Sequence, residues 1–554
     1  MFSHELIMSR ELAELLFPNV DKTLDYYENL FPERNLDKKA KVTRLGPSPT
    51  GFIHLGNLYG ALVDERMAHL SGGIMLLRIE DTDDKRKVEG SEELIINSLK
   101  FFGIEFDEGV TIGGERGLYG PYRQSDRKEI YQTAAKFLTQ KGLAYPSFVS
   151  EEEMAEIREQ QEKEGVNTGY YGKWATDRDL SFNEIKSKIN NGESWTLRLR
   201  SNGDPEVAMK FIDGIRGEIT VRQNNLDVVL LKQNGIPTYH FAHVVDDHFM
   251  RITDVVRGEE WLSTLPIHLE LFYVMGWRRP NYNHTAHLMK VENGNKRKLS
   301  KRKDPELSLE YYMKDGYFPQ AVTEYLMTLM NSNYEEWRMK NQDKSYMEFA
   351  FKTKNMSSSG ALFDLNKLND ISKDVLARIS VDKIVDILIS WAEKFDDKSY
   401  KLLIKYREEL IKLLSIGRGG KKPRKDLMNC RQIMEFISYY FDEGFEYVDS
   451  LPERVSKEDA KVILNSYLKT YNQNDTNEEW FEKVKTITDN NGFTSNNKEF
   501  KKNPEQFKGN ITDVSTAIRV AVVGRQQSPD LWNIQQIMGE TRVKNRINKY
   551  LEII

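Results

Sequence analysis

A short stretch, Val42-Thr-Arg-Leu45, runs without a linker into the turn Gly46-Pro-Ser-Pro-Thr-Gly51 and then into a helical pattern near Leu58–Leu70. A strand that ends in a stiff turn and feeds a helix calls for a second, parallel strand, because the helix carries the chain back along the sheet. That strand follows at once: beyond the Gly72-Gly73 break, Ile74 to Ile79 is strand-like, and a helix with Leu94, Ile95, Leu99 and Phe102 on one face comes next. Strand-like Ile252–Val256 and an apolar helix around Leu262–Met275 resume the same rhythm far downstream, so the two halves are expected to form one sheet.

Between them, residues 123–240 break the alternation with an acidic helical run at 151–164, a Tyr/Gly/Trp stretch at 169–174 and a strand candidate at Trp195–Arg200. This reads as an inserted α+β module. After about Pro305 the pattern is almost wholly helical, with apolar stripes at Leu402-Leu403, Val462–Leu464 and Ile534–Met538. Residues 1–40 hold Met8, Leu12, Leu15 and Leu16 at helical spacing before Pro18 and Pro32, a short helix and a connector with no chemistry assigned. A chain of 554 residues exceeds what one core supports, so several domains are expected.

The single cysteine, Cys430, excludes internal disulfides and a zinc site built on paired thiolates, and a small buried hydrophobe is its plainer role. No apolar run approaches the length of a spanning helix, and the N-terminus lacks the pattern of an export signal, so no membrane partner and a cytoplasmic location are expected. Lysine and arginine total 80 against 85 acids, a net charge of -5. Any attraction to nucleic acid must therefore be local.

Two segments carry the chemistry. Arg44-Leu-Gly-Pro-Ser-Pro-Thr-Gly-Phe-Ile-His-Leu-Gly56 presents backbone N–H groups and a helix N-terminus, both of which attract phosphate. Gly51 and Gly56 let a nucleotide approach the backbone, and His54 can donate to a phosphoryl oxygen; a tight structural turn fits the same residues. Lys298-Leu-Ser-Lys-Arg302, flanked by Lys296, Arg297 and Lys303, can neutralise a pyrophosphate leaving group, or can be a solvated basic loop. His240, His243, Asp246, Asp247 and His248 crowd together without a defined ligand spacing, a weak metal candidate.

Together these segments resemble the class I aminoacyl-tRNA synthetases, and within them the glutamyl-tRNA synthetases. His54-Leu-Gly-Asn57 matches the HIGH motif and Lys298-Leu-Ser-Lys-Arg302 the KMSKS motif, while Arg44 to Gly51 and Arg78-Ile-Glu-Asp-Thr-Asp83 match strings of the glutamate branch. The similarity continues through Gly120–Asp126, Pro237–His240, Val245–Asp247, Val256–Trp261, Gly316–Pro319, Ser359–Asp364, Arg519–Arg525 and Ser528-Pro529. Three departures stand out: Gly46 for the usual alanine, Asn57 for the second histidine, and His243 where some relatives have asparagine, a change that could make the charge of the substrate pocket follow pH.

The resemblance implies an α/β Rossmann-type catalytic domain at 41–122 and 241–290 and an acceptor-binding insertion at 123–240. It further implies a KMSKS-loop and stem-contact domain at 291–375 and an all-α anticodon-binding region in two parts, 376–470 and 471–554. Residues 1–40 remain an N-terminal extension. Arg44, Tyr239 and Arg257 would bind the side-chain carboxylate of L-glutamate, and Ser48 and Glu80 its ammonium. ATP would lie against Gly51, His54, Gly56, Trp261, Lys298, Ser300 and Lys301, with His54, Gly56, Lys298 and Lys301 catalytic and Mg²⁺ arriving with ATP; no structural zinc is expected. The partners implied are tRNA(Glu), with tRNA(Gln) as an open alternative, for a chain acting as a monomer. The run Gly417-Arg-Gly-Gly-Lys-Lys-Pro-Arg-Lys425 offers Arg418, Lys421, Lys422, Arg424 and Lys425 to RNA phosphates, or is a solvated loop. A non-catalytic RNA-binding relative is the rival in another class, and two intact phosphate-binding segments argue against it.

Overall fold

The computed structural model describes residues 2–83, 87–418 and 423–554, with side chains from residue 8 onward. They form two compact units, Met1–Tyr311 with Thr323–Asp364, and Tyr312–Val322 with Leu365–Ile554. Lys421 and Lys422, expected to meet RNA, lie outside the described residues.

The first unit opens with helices α1 (Phe2–Leu16) and α2 (Leu24–Leu30). Leu16, Phe17, Val20, Tyr27 and Phe31 of this segment are buried in the same apolar core as the parallel strands that follow. The extension is thus strapped onto the half that carries the parallel strands. Strand β1 (Val42–Leu45), helix α3 (Leu55–Leu70), strand β2 (Ile74–Leu77), helix α4 (Ser91–Phe101) and strand β3 (Glu108–Thr111) make two β-α-β units, with β1, β2 and β3 parallel and β4 (Gly114–Arg116) antiparallel to β3. Both faces of β2 are covered, since Met75, Leu76 and Leu77 are all buried, as suits a parallel strand between helices. On α3, Leu55, Leu58, Leu62 and Val63 are fully buried, each worth about 1.5–3 kcal/mol of burial energy. On α4 the expected face is narrower: Ile95 and Leu99 are buried, Leu94 turns to solvent, and Phe102 packs from just beyond the helix end.

The insertion carries helix α5 (Lys128–Gln140), strand β5 (Ala144–Ser147), helices α6 (Glu151–Glu164) and α7 (Phe182–Asn190), and strands β6 (Thr196–Leu199), β7 (Ala208–Asp213), β8 (Gly217–Arg222) and β9 (Val229–Leu231). Strands β5, β6 and β9 form one antiparallel sheet and β7 with β8 a hairpin. Helix α8 (Tyr239–Phe249) then leads back to β10 (Asp254–Gly258), helix α9 (Leu265–Met275) and β11 (Asn281–Thr285), with β10 and β11 parallel. The single sheet expected of the two halves is instead two ladders set edge to edge. Thr253 donates its amide to the Val42 carbonyl (3.0 Å), but its own hydroxyl takes the Val42 N–H (2.8 Å), so the ladder does not continue into β10. A hairpin of β12 (Leu288–Glu292) and β13 (Asn295–Lys298) closes this half, and the short β14 (Ala361–Leu362) beside β12 interrupts the otherwise helical pattern after Pro305.

In the second unit, the helices between Leu365 and Ile553 share one apolar core. Cys430 is buried there and burial pushes its thiol far above the usual range, the behaviour of a small hydrophobe. Among the described residues no helix is long and apolar enough to cross a membrane.

In the last turn of α3, His69 lies between Glu65 (2.7 Å) and Asp107 (2.9 Å). The Glu65 hydrogen bond, helped by Asp107 and opposed by burial, raises its pKa from 6.5 to about 9. His69 therefore gains protons on folding: its contribution is complete below the unfolded value and is lost as pH rises through about 9. His69→Gln should melt on the order of 2 °C below the parent at pH 6 and together with it at pH 9.5, as followed by circular dichroism.

Candidate active site

The turn after β1 is fastened to the chain after β2 by two backbone bonds, the Glu80 amide to the Pro47 carbonyl and the Val88 amide to the Pro49 carbonyl, both 3.0 Å. At its end His54 caps α3: its Nδ1 accepts the Asn57 amide (3.2 Å) while Asn57 Oδ1 accepts the His54 amide (3.0 Å). Asn57 thus completes a capping box in the place of the motif's second histidine. With Nδ1 accepting, the proton of the neutral ring sits on Nε2. Burial, with Lys298 and Lys301 nearby, pushes the His54 pKa down to about 4, so at neutral pH the ring is an uncharged donor. Gly56 makes room for it, since a Cβ there would stand 3.0 Å from the imidazole. Gly46 does the same for Glu80: a Cβ would meet Glu80 Oε1 at 2.3 Å. The departure at residue 46 therefore bears on the Glu80 carboxylate rather than on the backbone alone.

Behind the turn lies a buried lattice of charge. Arg78 donates to Asp247 (2.6 Å) and Glu80 (3.1 Å), Arg44 donates to Asp247 (3.3 Å) and the Val256 carbonyl (3.4 Å), and Arg127 donates to Asp246 (2.6 Å). Gln124 and Tyr131 complete the shell of Asp246. Arg257 differs. Among the described residues it forms no ion pair; its Nε donates to His284 Nε2 and its Nη1 to His268 Nδ1, both at 2.9 Å, and it lies over the Tyr282 ring. Tyr239 packs beside it and against Trp261, the two rings 4.3 Å apart. Asp64 also lines this space, with both carboxylate oxygens lacking a hydrogen-bond partner among the described residues; burial drives its pKa well above the usual range, with Arg44 opposing.

The lysine loop reaches the same place. β13 ends on Lys298, whose Nζ is 3.4 Å from His287 Nε2, and Lys301 Nζ sits 4.0 Å over the Phe52 ring. The loop is held by Asp304, which accepts from Arg297 (2.6 and 2.8 Å) and from the Ser300 amide (2.8 Å); these donors, Arg297 foremost, hold its carboxyl far below the usual range. The residue after the loop, Leu309, donates its amide to the Ile53 carbonyl (3.3 Å).

A cavity of about 540 Å³ results, lined by Arg44, Ser48, His54, Gly56, Glu80, Tyr239, Arg257, Trp261 and Lys298. Of the residues singled out from the sequence, Gly51, Ser300 and Lys301 lie beside this lining rather than in it. His243 is fully buried behind it, 3.5 Å from Arg44 and 2.9 Å from the Tyr282 hydroxyl. Burial and the surrounding arginines drive its pKa well down, so it stays neutral and the pocket's charge does not follow pH through it. Asp304, His268 and His284 went unassigned in the sequence, and Asp247 was read there only as part of a weak metal candidate, not as the partner of buried arginines. The histidine and carboxylate group near residue 246 disperses, with Asp246 facing Arg127, Asp247 facing Arg78, and His248 on Glu28 (2.6 Å). Among the described residues no group of three or more such side chains could hold a metal ion.

In the second unit, Arg418 turns inward and donates to the Leu376 and Ile379 carbonyls, so its guanidinium closes a helix end. Arg424 pairs with Asp426 (2.7 Å) over the Phe436 ring, and Lys425 pairs with Asp374 (2.7 Å). Arg424 and Phe436 line an open hollow of about 940 Å³ with Asp449, Arg525 and Gln526.

A family model described as class I tRNA synthetases (E and Q), catalytic domain, matches residues 41–370, and one described as an anticodon binding domain matches residues 424–551. The chain is 60% identical over 543 residues to a glutamate–tRNA ligase of Acetivibrio thermocellus, covering 98% of this chain and 100% of that one. It is 47% identical over 551 residues to one of Clostridium beijerinckii, covering 98% and 99%. A crystal structure of a glutamate tRNA ligase from Elizabethkingia meningosepticum in complex with its amino acid is 27% identical, with a TM-score of 0.75 over 93% of this chain and 99% of that chain.

The grip of Asp304 on the lysine loop can be tested without reference to any reaction. Hydrogen bonds to charged groups are worth about 1.5–3 kcal/mol, so Asp304→Ala should speed tryptic cleavage after Lys298, Lys301 and Arg302 by about tenfold. Mass spectrometry of timed digests reads the rate.

Proposed function

The chain belongs to the class I tRNA synthetases for glutamate and glutamine, and we infer that it is a glutamate–tRNA ligase, which activates L-glutamate with ATP and transfers it to the 3' end of tRNA(Glu). The observation that carries this reading is a cavity shared by the His54 turn, Lys298 and Arg257, a buried arginine with no carboxylate partner among the described residues. An anionic side chain entering a site lined by Arg257 and Arg44 finds a guanidinium whose charge is still available, and planar carboxylates suit its forked donors. Glutamine offers no such charge. Glu80 and Ser48, on the turn side, fit the α-ammonium, and Trp261 beside Tyr239 fits the adenosine.

In this reading the glutamate α-carboxylate attacks the α-phosphorus of ATP in line, the bond to the pyrophosphate breaks, and no protein nucleophile takes part. His54 Nε2–H, the N-terminal amides of α3, Lys298 and Lys301 meet the charge that grows on the departing pyrophosphate. Mg²⁺ would arrive with the triphosphate and would supply further positive charge for the departing pyrophosphate. A ribose hydroxyl of the terminal adenosine of the tRNA then takes the glutamyl group from the adenylate, and positioning supplies most of the acceleration.

For the tRNA, we assign the acceptor end to the insertion at 123–240 and the stem to 291–375. The anticodon goes to the helical region at 376–470 and 471–554. The hollow lined by Arg424, Phe436 and Arg525 supports the last assignment, because an unstacked base needs an aromatic or guanidinium plane and hydrogen-bond donors.

Glutamate-dependent ATP–pyrophosphate exchange, run with and without tRNA, tests the activity, and charging of purified tRNA(Glu) against tRNA(Gln) tests the choice of partner. Loss of exchange in both conditions would overturn the reading; equal charging would make the enzyme non-discriminating. Changing Lys298 and Lys301 together to Ala should lower exchange turnover by about 10²–10³ while glutamate binding, measured by calorimetry, stays within twofold. Arg424→Gln with Lys425→Gln should weaken tRNA binding and flatten its dependence on salt.

A further inference from the structure

The three arginines nearest the cavity are held in two different ways. Arg44 shares Asp247 with Arg78, whereas Arg257 is held by two imidazoles, His284 on Nε and His268 on Nη1. A guanidinium can only donate, so the ring nitrogens facing it must be unprotonated. That fixes each tautomer. His284 carries its proton on Nδ1 and donates to Asp213 Oδ2 (2.6 Å), which also accepts the His284 amide, while Asp213 Oδ1 takes the Ile215 and Arg216 amides at 3.0 Å. His268 carries its proton on Nε2 and donates to His240 Nδ1 (3.0 Å). Both rings are fully buried, and burial lowers both pKa values, that of His268 well below the ordinary value.

We propose that His268 and His284 are positioning residues for glutamate selection: each imidazole accepts one N–H of Arg257 and fixes the guanidinium without cancelling its charge. The proposal rests on the reading of Arg257 as the partner of the glutamate side-chain carboxylate. A carboxylate at either histidine position would orient the arginine equally well, but its negative charge beside the guanidinium would offset much of the attraction left for a ligand. The incoming carboxylate would then compete with a resident one. Neutral acceptors separate the two tasks of holding the arginine and answering its charge. Asp213 stands behind the His284 ring, bonded to its Nδ1, and also accepts from the Ile215, Arg216 and His284 backbone amides.

The test uses the full-length enzyme with tRNA present. His268→Leu and His284→Leu should each raise the glutamate KM by about tenfold or more, with kcat and the ATP KM within threefold. His268→Asn and His284→Gln, whose amide oxygens replace the accepting Nδ1 and Nε2, should return the glutamate KM to within threefold of the parent. An unchanged glutamate KM in the Leu variants would overturn the proposal, as would Asn and Gln variants as impaired as the Leu ones. Should the Leu variants fold poorly, nitrogen NMR of ¹⁵N-histidine in the unaltered protein at pH 7 still decides. His268 should be protonated on Nε2 alone and His284 on Nδ1 alone; a charged ring or a reversed tautomer at either position overturns the assignment. Absence of glutamate-dependent exchange in the unaltered protein would sink the proposed function instead, and the tautomer measurement would stand apart from it.

Discussion

Asp246 and Asp247, adjacent on α8, are where the site is held together. Arg44 comes to them from β1, Arg78 from the end of β2 and Arg127 from the turn before α5, so two carboxylates tie three separate segments to one helix. Such pairs add little net stability over apolar packing, but removing one partner strands a buried charge at a cost of about 3–5 kcal/mol. The lattice is therefore a constraint on geometry. It sets where Glu80 projects, since Arg78 grips both Asp247 and Glu80, and it sets where the His54 turn lies, since the Glu80 amide is bonded to Pro47.

The remaining electrostatics follow from what that lattice leaves over. Its arginines are answered by its own carboxylates, whereas Arg257 has no ion pair among the described residues. At the other end of the cavity His54 is kept neutral by burial and by the lysines beside it, so it adds a donor without adding to the repulsion between Lys298 and Lys301. Charge is thus concentrated at two poles, Arg257 at one and Lys298 with Lys301 at the other, which the proposed reading gives to a carboxylate and a polyphosphate. In that reading the reactants need only be held in line, without a nucleophile from the protein.

Much of this was legible in the sequence where the signal was local. β1, α3 and β2 followed from a strand, a proline-rich turn and a helical period lying next to one another, and the acidic run at 151–164 is helix α6 as its spacing required. Local period failed where packing decided: Leu94 has helical spacing but faces solvent, and Thr253 ends a ladder with its own hydroxyl. Side-chain pairing was out of reach, even between residues a few positions apart. Nothing near Asp304 announces that it holds Arg297 and Ser300, and nothing near His268 or His284 announces an arginine between them. Arg418 illustrates the opposite error of reading charge as exposure, because a guanidinium can serve as a cap for backbone carbonyls.

The strap formed by the first helices has a consequence for biosynthesis. Lys136 reaches back to Glu14 and the Val20 carbonyl, His248 and Arg251 to Glu28, and Arg34 forward to Glu108 and the Met250 carbonyl. A chain emerging from the ribosome at about 5–20 residues per second exposes Tyr27 and Phe31 on the order of ten seconds or more before Phe249, against which they pack, has been made. Tyr27 and Phe31, made well before Phe249, are thus among the last residues of their half to be sealed, and until then their aromatic face is open to whatever nascent-chain chaperone stands at the exit.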